Sequence, residues 1–299
     1  MNHESTLSLP ELPGPAPRPL TRRRLLGRLG VGVAGVGVCT AANSALFAPF
    51  HPILERVEVP IPNLPLSFEG FRIVQLSDLH VQPGFPADDL APALRMAEQL
   101  RPDIYALTGD YINDDAPNPD THMRACAAAL APLTAIAPVY AIFGNHDYPP
   151  PPLDPSSLPW QTARIHTLSD EIVPLRRDDD TLYLIGLRSF IQRPVTPADI
   201  LNRTPSGSVR IVLWHEPDRA EECALAGAAL QLSGHTHGGQ VVIPLVGPPL
   251  LPAGGRKYPS GLFHVSGMPL YVTRGVGLLS PRVRFNCPPE VTEITLRRG

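Results

Sequence analysis

Five short polar clusters contain residue types that bind divalent metals, and each follows an apolar run. They are Asp78-x-His80, Gly109-Asp110, Gly144-Asn145-His146-Asp147, His215 and Gly234-His235-Thr236-His237. Imidazole and oxygen ligands together suit Zn, Mn, Fe or Ni rather than Ca or a thiolate-bound metal. Seven candidate ligands are too many for one tetrahedral ion and fit two ions that share a carboxylate: Asp78, His80, Asp110, Asn145, His215, His235 and His237.

Each cluster alone has an ordinary structural explanation. Turn chemistry accounts for an Asp-x-His loop or a Gly-Asn turn, and a single histidine at a strand end is more often structural than a ligand. Gly234-His235-Thr236-His237-Gly238 is the most specific, because glycine lets the backbone turn both rings to one side. The other histidines (His3, His51, His122, His166 and His264) are expected on the surface or in the core.

The apolar runs predict the elements that must position these clusters. Strands are predicted at Phe71–Leu76, Ile104–Leu107, Val139–Phe143, Leu182–Gly186, Val209–Leu213, Leu230–Leu232, Val241–Ile243, Leu270–Thr273 and Val291–Leu296, and helices at Pro86–Leu100, His122–Leu130 and Pro217–Ala226. Strands alternating with helices favour a layered α/β architecture. Functional groups collect at the carboxyl ends of strands in such sheets, so five strand ends should deliver the clusters to one edge.

The ordered set resembles the calcineurin-like metallophosphoesterase superfamily, with its blocks D-x-H, G-D-x-x-D, G-N-H-[DE], H and G-H-x-H. Leu213-Trp214-His215-Glu216-Pro217 and the tail Arg284–Glu290 are similar to its exported YaeI/YkuE-like phosphodiesterase branch. The resemblance covers residues 55 to 297. It implies a β-sandwich flanked by helices, an active site at the carboxyl ends of the strands, and a metal-dependent phosphodiesterase.

The resemblance also assigns roles. Asp78, His80 and His237 would hold the first metal, Asn145, His215 and His235 the second, and Asp110 would bridge them. His146 would face the phosphate and the leaving group, and Asp147 would orient His146. One block departs from the pattern, because Asn113 stands where the family has a second Asp and Asp114 follows it. This departure puts the support of His146 in doubt, not metal binding.

Two cations would reduce the repulsion between an anionic phosphodiester and its attacker, and would lower the pKa of a water molecule toward neutrality. One rival is a two-metal amidase or lactamase, but the H-x-H-x-D-H opening of such enzymes is absent. Other rivals are a non-catalytic metal-binding interaction module and a phosphomonoesterase or nucleotide phosphodiesterase.

The first 45 residues predict a targeting segment separate from a domain at residues 46–299. Thr21-Arg22-Arg23-Arg24-Leu25-Leu26 precedes an apolar stretch from Leu29 to Cys39 and then the small residues Ala42-Asn43-Ser44. This order is typical of a twin-arginine export signal, or of an N-terminal anchor if it is not cleaved. A basic tail with one short buried helix is the alternative. We expect export by the twin-arginine machinery to a periplasmic, extracytoplasmic or membrane-associated location.

Charge and cysteine usage exclude some functions. The chain has a formal charge of −3 and residues 1–44 carry +3, so the remainder carries −6, which argues against a nucleic-acid footprint. Cys39, Cys126, Cys223 and Cys287 form no C-x-x-C pair, so no zinc finger is predicted. A Cys223–Cys287 bridge stays open, and buried thiols are favoured.

The substrate is less constrained. Pro244–Pro252 is an apolar, Pro-rich loop soon after the last ligand, and it predicts either a rigid loop over the core or a lip that meets a lipid chain or membrane surface. By the resemblance, some relatives cleave the pyrophosphate of UDP-2,3-diacylglucosamine-type lipids, which suggests a glycolipid or phospholipid substrate. Arg256 and Lys257 fit a solvated basic turn better than a phosphate contact.

Overall fold

The computed structural model describes residues 37–113, 115–148 and 159–299. Residues 37–42 are helical and belong to a first unit that ends at Ala42, while Asn43–Gly299 form a second compact unit. Within these described ranges, no helix combines the length and apolarity that crossing a bilayer requires. The predictions for residues 1–36, Asp114 and Pro149–Pro152 lie outside the described residues.

The second unit contains two six-stranded mixed sheets. The first holds β1 (Ile53–Ile61), β2 (Arg72–Leu76), β3 (Ile104–Leu107), β4 (Val139–Ala141), β5 (His166–Thr167) and β12 (Glu290–Arg298), in the order β1-β12-β2-β3-β4-β5. The second holds β6 (Glu171–Arg177), β7 (Asp180–Gly186), β8 (Arg210–Leu213), β9 (Leu230–Ser233), β10 (Gly261–Val265) and β11 (Met268–Val272), in the order β10-β11-β9-β8-β7-β6. Strands β2 to β5 run parallel, as do β7, β8, β9 and β11.

Three hydrophobic clusters show that the sheets stack face to face with helices outside. The helices are α1 (Ala91–Leu100), α2 (Pro119–Leu130), α3 (Pro159–Thr162), α4 (Pro197–Leu201) and α5 (Ala220–Leu225). Ile73 and Ile104 of the first sheet pack in one cluster with Leu184, Leu213 and Leu232 of the second. Helices α1 to α3 pack on the other face of the first sheet, and α4 and α5 on that of the second. This arrangement confirms the predicted layered α/β sandwich flanked by helices.

The central parallel strands are buried on both faces, which explains why they read as continuous apolar runs. Gln75 is the polar exception in β2. Its amide nitrogen donates hydrogen bonds to Thr108 Oγ1 at 2.9 Å and to the Ser233 carbonyl oxygen at 3.0 Å. Gln75 thus ties the ends of β2 and β3 to the end of β9 in the opposite sheet, where the predicted ligands begin.

The structure corrects one predicted strand and adds several. Val241–Ile243 forms no strand, and Val241 makes only an isolated bridge with Phe285. Strands β1, β5, β6 and β10 were not predicted, because charged or exposed residues interrupt their apolar pattern. Cys126, Cys223 and Cys287 are buried free thiols, so the favoured interpretation is confirmed and the Cys223–Cys287 bridge does not form.

Candidate metal centre

The predicted ligand clusters follow β2, β3, β4, β8 and β9, at one end of the two stacked sheets. Five of these residues adopt the left-handed backbone region, with φ of 54° at Asp78, 46° at His80, 58° at Asp110, 71° at His235 and 51° at His237. Residues other than glycine rarely adopt this backbone conformation, because it is strained. Strained residues of this kind are concentrated at functional sites. The sharp turns start immediately after each buried strand and direct the side chains inward.

A first cluster brings together the three residues expected to hold one metal. Donor atoms of Asp78, His80 and His237 lie within 4.8 Å of one another, and all three side chains are buried. The ring centroids of His80 and His237 are 4.8 Å apart, and His237 Nε2 is 3.5 Å from Asp78 Oδ1. Two residues after β2 therefore meet one residue after β9, so this cluster joins the two sheets.

A second cluster contains Asp110, His215 and His235, whose donor atoms also lie within 4.8 Å of one another. Asp110 touches both clusters, because its Oδ2 is 3.0 Å from His215 Nε2 and 3.6 Å from His80 Nε2. A carboxylate between two sets of imidazoles is the arrangement that a bridging ligand requires. The geometry thus places Asp110 where the resemblance puts the bridge.

Asn145 and His146 lie in the short 3-10 turn Asn145–Asp147 that follows β4. Gly144 precedes them, and a Cβ atom there would come within 2.2 Å of Asp110 Oδ1, so only glycine allows this close approach. The amide oxygen of Asn145 is buried, and the ring of His146 lies 5.3 Å from that of His80. His146 itself is half-buried, and its backbone N–H donates to Asp110 Oδ1 at 2.9 Å.

One ring nitrogen in each of three histidines is anchored in a way that suits metal binding. The Nδ1 atoms of His80 and His215 donate to Asn113 Oδ1 and to the Thr108 carbonyl, each at 2.6 Å, and His235 Nε2 donates to the Ala253 carbonyl at 2.9 Å. Partners of this kind fix the tautomer and aim the other nitrogen at a metal.

Buried nitrogen and oxygen atoms without a hydrogen-bond partner show whether the site suits a pair of cations. Among the described residues, these buried atoms have no hydrogen-bond partner: Asp78 Oδ2, His80 Nε2, Asn145 Oδ1, His235 Nδ1 and both ring nitrogens of His237. His215 Nε2 faces the Asp110 carboxylate, with 3.0 Å between His215 Nε2 and Asp110 Oδ2. Buried polar atoms normally have a partner, because leaving one unpaired costs about 1–3 kcal/mol. Their convergence at one place fits two divalent cations held by nitrogen and oxygen donors.

The electrostatics follow from burial and from Asp110. Burial raises the pKa of Asp78 to about 6, and it lowers the pKa values of His80 and His235 to about 4, so both rings are neutral and able to bind metal at neutral pH. Burial alone would lower the pKa of His215, but the nearby Asp110 carboxylate outweighs it and holds that pKa well above its ordinary value. Asp110 and His215 therefore form a charged pair that a cation would have to open.

Asp147 has a supporting position that the sequence did not indicate. Its carboxylate accepts hydrogen bonds from the backbone N–H groups of Asp110, Tyr111 and Gly144, at 2.7–2.8 Å. These contacts hold the loop after β3 against the turn after β4, and so position Asp110. The orientation of His146 by Asp147 stays a prediction.

Asn113 contacts His80, a predicted metal ligand, whereas the sequence analysis had linked Asn113 to His146. Its oxygen accepts from His80, its amide donates to Gln82 Oε1 at 2.8 Å, and Gln82 Nε2 donates to the Leu278 carbonyl at 2.7 Å. The sequence could have predicted this contact, because His80 and Gln82 follow β2 and Asn113 follows β3, the neighbouring parallel strand.

Arg284 is a buried cation whose role the sequence did not predict, although its tail segment was noted. Its guanidinium donates to the carbonyl oxygens of Arg274, Gly275, Cys287 and Gly277, the last at 2.7 Å. Gly277 N in turn donates to the Asp78 carbonyl at 2.7 Å. Arg284 therefore fixes the loop behind Asp78.

Comparison with known proteins agrees with this geometry. A model of the calcineurin-like phosphoesterase family matches residues 71–239, which include all seven predicted ligands. The chain is 32% identical to the uncharacterized metallophosphoesterase YkuE of Bacillus subtilis, over 93% of this chain and 98% of that protein. It is 33% identical to phosphodiesterase YaeI of Escherichia coli, over 76% of this chain and 82% of that protein. It is 26% identical to the UDP-2,3-diacylglucosamine pyrophosphatase LpxG of Chlamydia trachomatis, over 86% and 96% respectively.

Proposed function

Since the chain belongs to the calcineurin-like phosphoesterase family and is a metal-dependent phosphoester hydrolase, we propose that it cleaves a phosphodiester or pyrophosphate bond in a lipid-linked substrate. The observation that carries the proposal is the pair of buried ligand clusters joined by Asp110, with the half-buried His146 beside them. A UDP-2,3-diacylglucosamine-like glycolipid is the substrate type that we favour.

The site residues have two proposed roles, as metal ligands and as a proton donor. Asp78, His80 and His237 would hold one cation, Asn145, His215 and His235 the other, and Asp110 both. When bound, the two divalent cations would neutralise phosphate charge and lower the pKa of a water molecule. Mn, Zn, Fe and Ni all suit this mixed nitrogen and oxygen donor set.

His146 is the candidate donor to the leaving oxygen. Its ring lies next to that of His80, and its backbone N–H is held by Asp110, so the side chain stands at the metal cluster while remaining partly open to solvent. A group in this position can meet both bound substrate and bulk water, as a general acid that is reprotonated in each cycle must.

Two relatives support the choice of bond and substrate. YaeI is named a phosphodiesterase, and LpxG is named a UDP-2,3-diacylglucosamine pyrophosphatase. In this chain the apolar loop Pro244–Pro252, with exposed Leu245, Val246 and Leu250, directly precedes Ala253, whose carbonyl accepts a hydrogen bond from His235. Acyl chains of a lipid-linked substrate would have an apolar surface to follow from the metal centre.

The test compares substrates on one preparation. Metal-free protein is loaded with Mn, Zn, Fe or Ni and assayed with bis-p-nitrophenyl phosphate, p-nitrophenyl phosphate and a UDP-diacylglucosamine in detergent. We expect diester and lipid pyrophosphate turnover to exceed monoester turnover, and Asp110→Ala to abolish both, whereas the exposed Asn202→Ala has no effect. Inert protein with two metals bound would favour an interaction module, and a monoester preference would favour a phosphomonoesterase.

We also propose that residues 1–45 direct export through the twin-arginine pathway, with the domain acting outside the cytoplasm. The order Thr21-Arg22-Arg23-Arg24-Leu25-Leu26 followed by an apolar stretch supports this. Residues 1–45 fused to a reporter that folds before transport should be exported, and Arg22→Lys with Arg23→Lys should block it. Unchanged export of the double variant would contradict the assignment.

A further inference from the structure

Exposed large apolar side chains concentrate at the metal-binding end of the second unit. The following lie there: Leu46, Phe47, Ile191, Ile243, Leu245, Val246 and Leu250. Leu66 and Leu225 are comparably exposed, but they lie near the starts of β2 and β9, at the opposite end of the sheets. The asymmetry indicates a surface with a function instead of scattered single residues.

We name Ile243, Leu245, Val246 and Leu250 the apolar lip. A two-way pair of backbone hydrogen bonds between Ile243 and Gly247, at 3.0 and 2.8 Å, closes a tight loop with Leu245 and Val246 at its tip. Leu245 is fully exposed and has φ of +68°, a backbone conformation that a bulky residue adopts only under strain. The loop thus holds a strained leucine in solvent, at a cost in conformational free energy. A loop that only covered the hydrophobic core would not need this conformation.

Backbone contacts connect the lip to Leu46 and Phe47. Phe285 N donates to the Gln240 carbonyl and Val242 N donates to the Phe285 carbonyl, both at 2.9 Å, so the segment before the lip is paired with the tail. In the same tail, Arg284 N donates to the Ser44 carbonyl at 2.9 Å. The two apolar segments are therefore mounted on one shared strip of backbone.

The lip also borders the metal centre. A Cβ atom at Gly254 would lie 3.5 Å from His235 Nε2 and 3.5 Å from Ile191 Cδ1, and Ala253 O accepts from the same His235 nitrogen. Two residues, Leu251 and Pro252, separate Leu250 from Ala253. The apolar surface therefore lies next to the predicted ligand His235.

The charge pattern completes the picture. From Val241 to Pro289 the sequence contains no Asp or Glu, and none occurs from Asn43 to Leu54. Arg256 and Arg282 are exposed in the first of these stretches, although residues 45–299 as a whole carry −6. Apolar side chains on a segment whose charged residues are all basic suit a surface that combines hydrocarbon with negative headgroups.

We propose that the apolar lip, together with Leu46 and Phe47, seats the protein on an anionic lipid bilayer so that the metal centre opens toward the membrane surface. The proposal deepens the lipid-linked substrate assignment, but bilayer binding itself requires no turnover. Its failure can therefore be separated from failure of the proposed hydrolysis.

The test places a fluorescent probe on the lip itself. Its signal therefore reports contact between the lip and the membrane, even where residues 1–45 also bind vesicles. Cys39 is an exposed thiol and the other cysteines are buried, so Cys39→Ser leaves no exposed cysteine among the described residues. Leu245→Cys and, as the matched control, Leu225→Cys are each labelled with an environment-sensitive fluorophore in the full-length chain. Vesicles of phosphatidylglycerol, of phosphatidylcholine and of brominated lipid are then added.

We expect a blue shift and bromine quenching at position 245 with phosphatidylglycerol vesicles, a smaller response with phosphatidylcholine, and none at position 225. Leu46→Ser with Phe47→Ser should weaken vesicle partition of the labelled protein about tenfold or more. Identical responses at positions 245 and 225 would overturn the proposal. A blue shift without vesicles that grows with protein concentration would overturn it too, because it would assign the surface to a second copy of the chain.

Discussion

Replacing Asn113 by alanine tests whether this residue acts on the metal centre or on the proton donor. The side chain makes two buried hydrogen bonds, at 2.6 Å with His80 Nδ1 and at 2.8 Å with Gln82 Oε1. Asn113→Ala leaves both partners buried and unpaired, each at a cost of about 1–3 kcal/mol. The free energy of unfolding should fall by about 2–6 kcal/mol.

The effect on metal affinity follows from the His80 ring. Without the acceptor at Nδ1, the tautomer that presents Nε2 to the metal is no longer fixed. Loss of such an outer partner typically lowers metal affinity or activity 10- to 100-fold. We therefore expect Asn113→Ala to weaken binding of one of the two metals by about this factor, and to recover much of its turnover at saturating metal.

Isothermal titration gives the affinity of each metal site, and kcat at saturating metal gives the catalytic effect separately. Asn113→Asp serves as the conservative variant, because it keeps an acceptor for His80, and Asn202→Ala serves as an exposed control. A lowered kcat with unchanged metal affinity would refute the reasoning and restore the link from Asn113 to His146.

Further variants and a titration test the other assignments. Asp110→Ala should bind at most one metal by elemental analysis, because it removes the carboxylate near both clusters, and a fully loaded, active variant would disprove the bridge. His146→Ala should keep two metals and lose about 10²–10⁴-fold in kcat, whereas loss of metal would contradict its role as proton donor. Metal loading at pH 7 should release about one proton from His215, measured by calorimetry in buffers of different ionisation enthalpy, because Asp110 keeps that ring protonated until a cation displaces the proton. Below about pH 6 the Asp78 carboxyl is protonated as well, so affinity should fall more steeply there, and a pH-independent affinity would show that these groups are not ligands.

The elements that carry the ligands could be predicted because they are the most buried ones. Strands β2, β3, β8 and β9 lie between two layers, so their sequences are almost wholly apolar and the polar residue that ends each run is conspicuous. Strand β6 is at a sheet edge and contains exposed Glu171, Arg176 and Arg177, so it gives no such contrast. Val241–Ile243 has the composition of a strand, but the tail offers it only one bridge.

Contacts across the chain could not be predicted in the same way. The acceptor that fixes His235 is the backbone carbonyl of Ala253, and every residue type offers that group. The position of Arg284 depends on four carbonyl oxygens of one folded loop, which leave no sequence pattern. The sequence therefore indicates which side chains are candidate metal ligands, whereas the structure is needed to show what orients them.

The strained backbone of the ligands and their cross-connections have one explanation. Each left-handed residue costs on the order of 1 kcal/mol or more, and persists only when its surroundings determine it. Here the ligand loops determine one another: Asp78 N donates to the Gly109 carbonyl, His80 N to the Asp110 carbonyl, and His235 N to Asp78 Oδ1, at 2.8–3.1 Å. These bonds join loops from both sheets without any cation. The hydrogen bonds between the loops thus set the spacing of the two clusters. The strained backbone holds buried nitrogen and oxygen atoms without hydrogen-bond partners at positions where two cations could bind them.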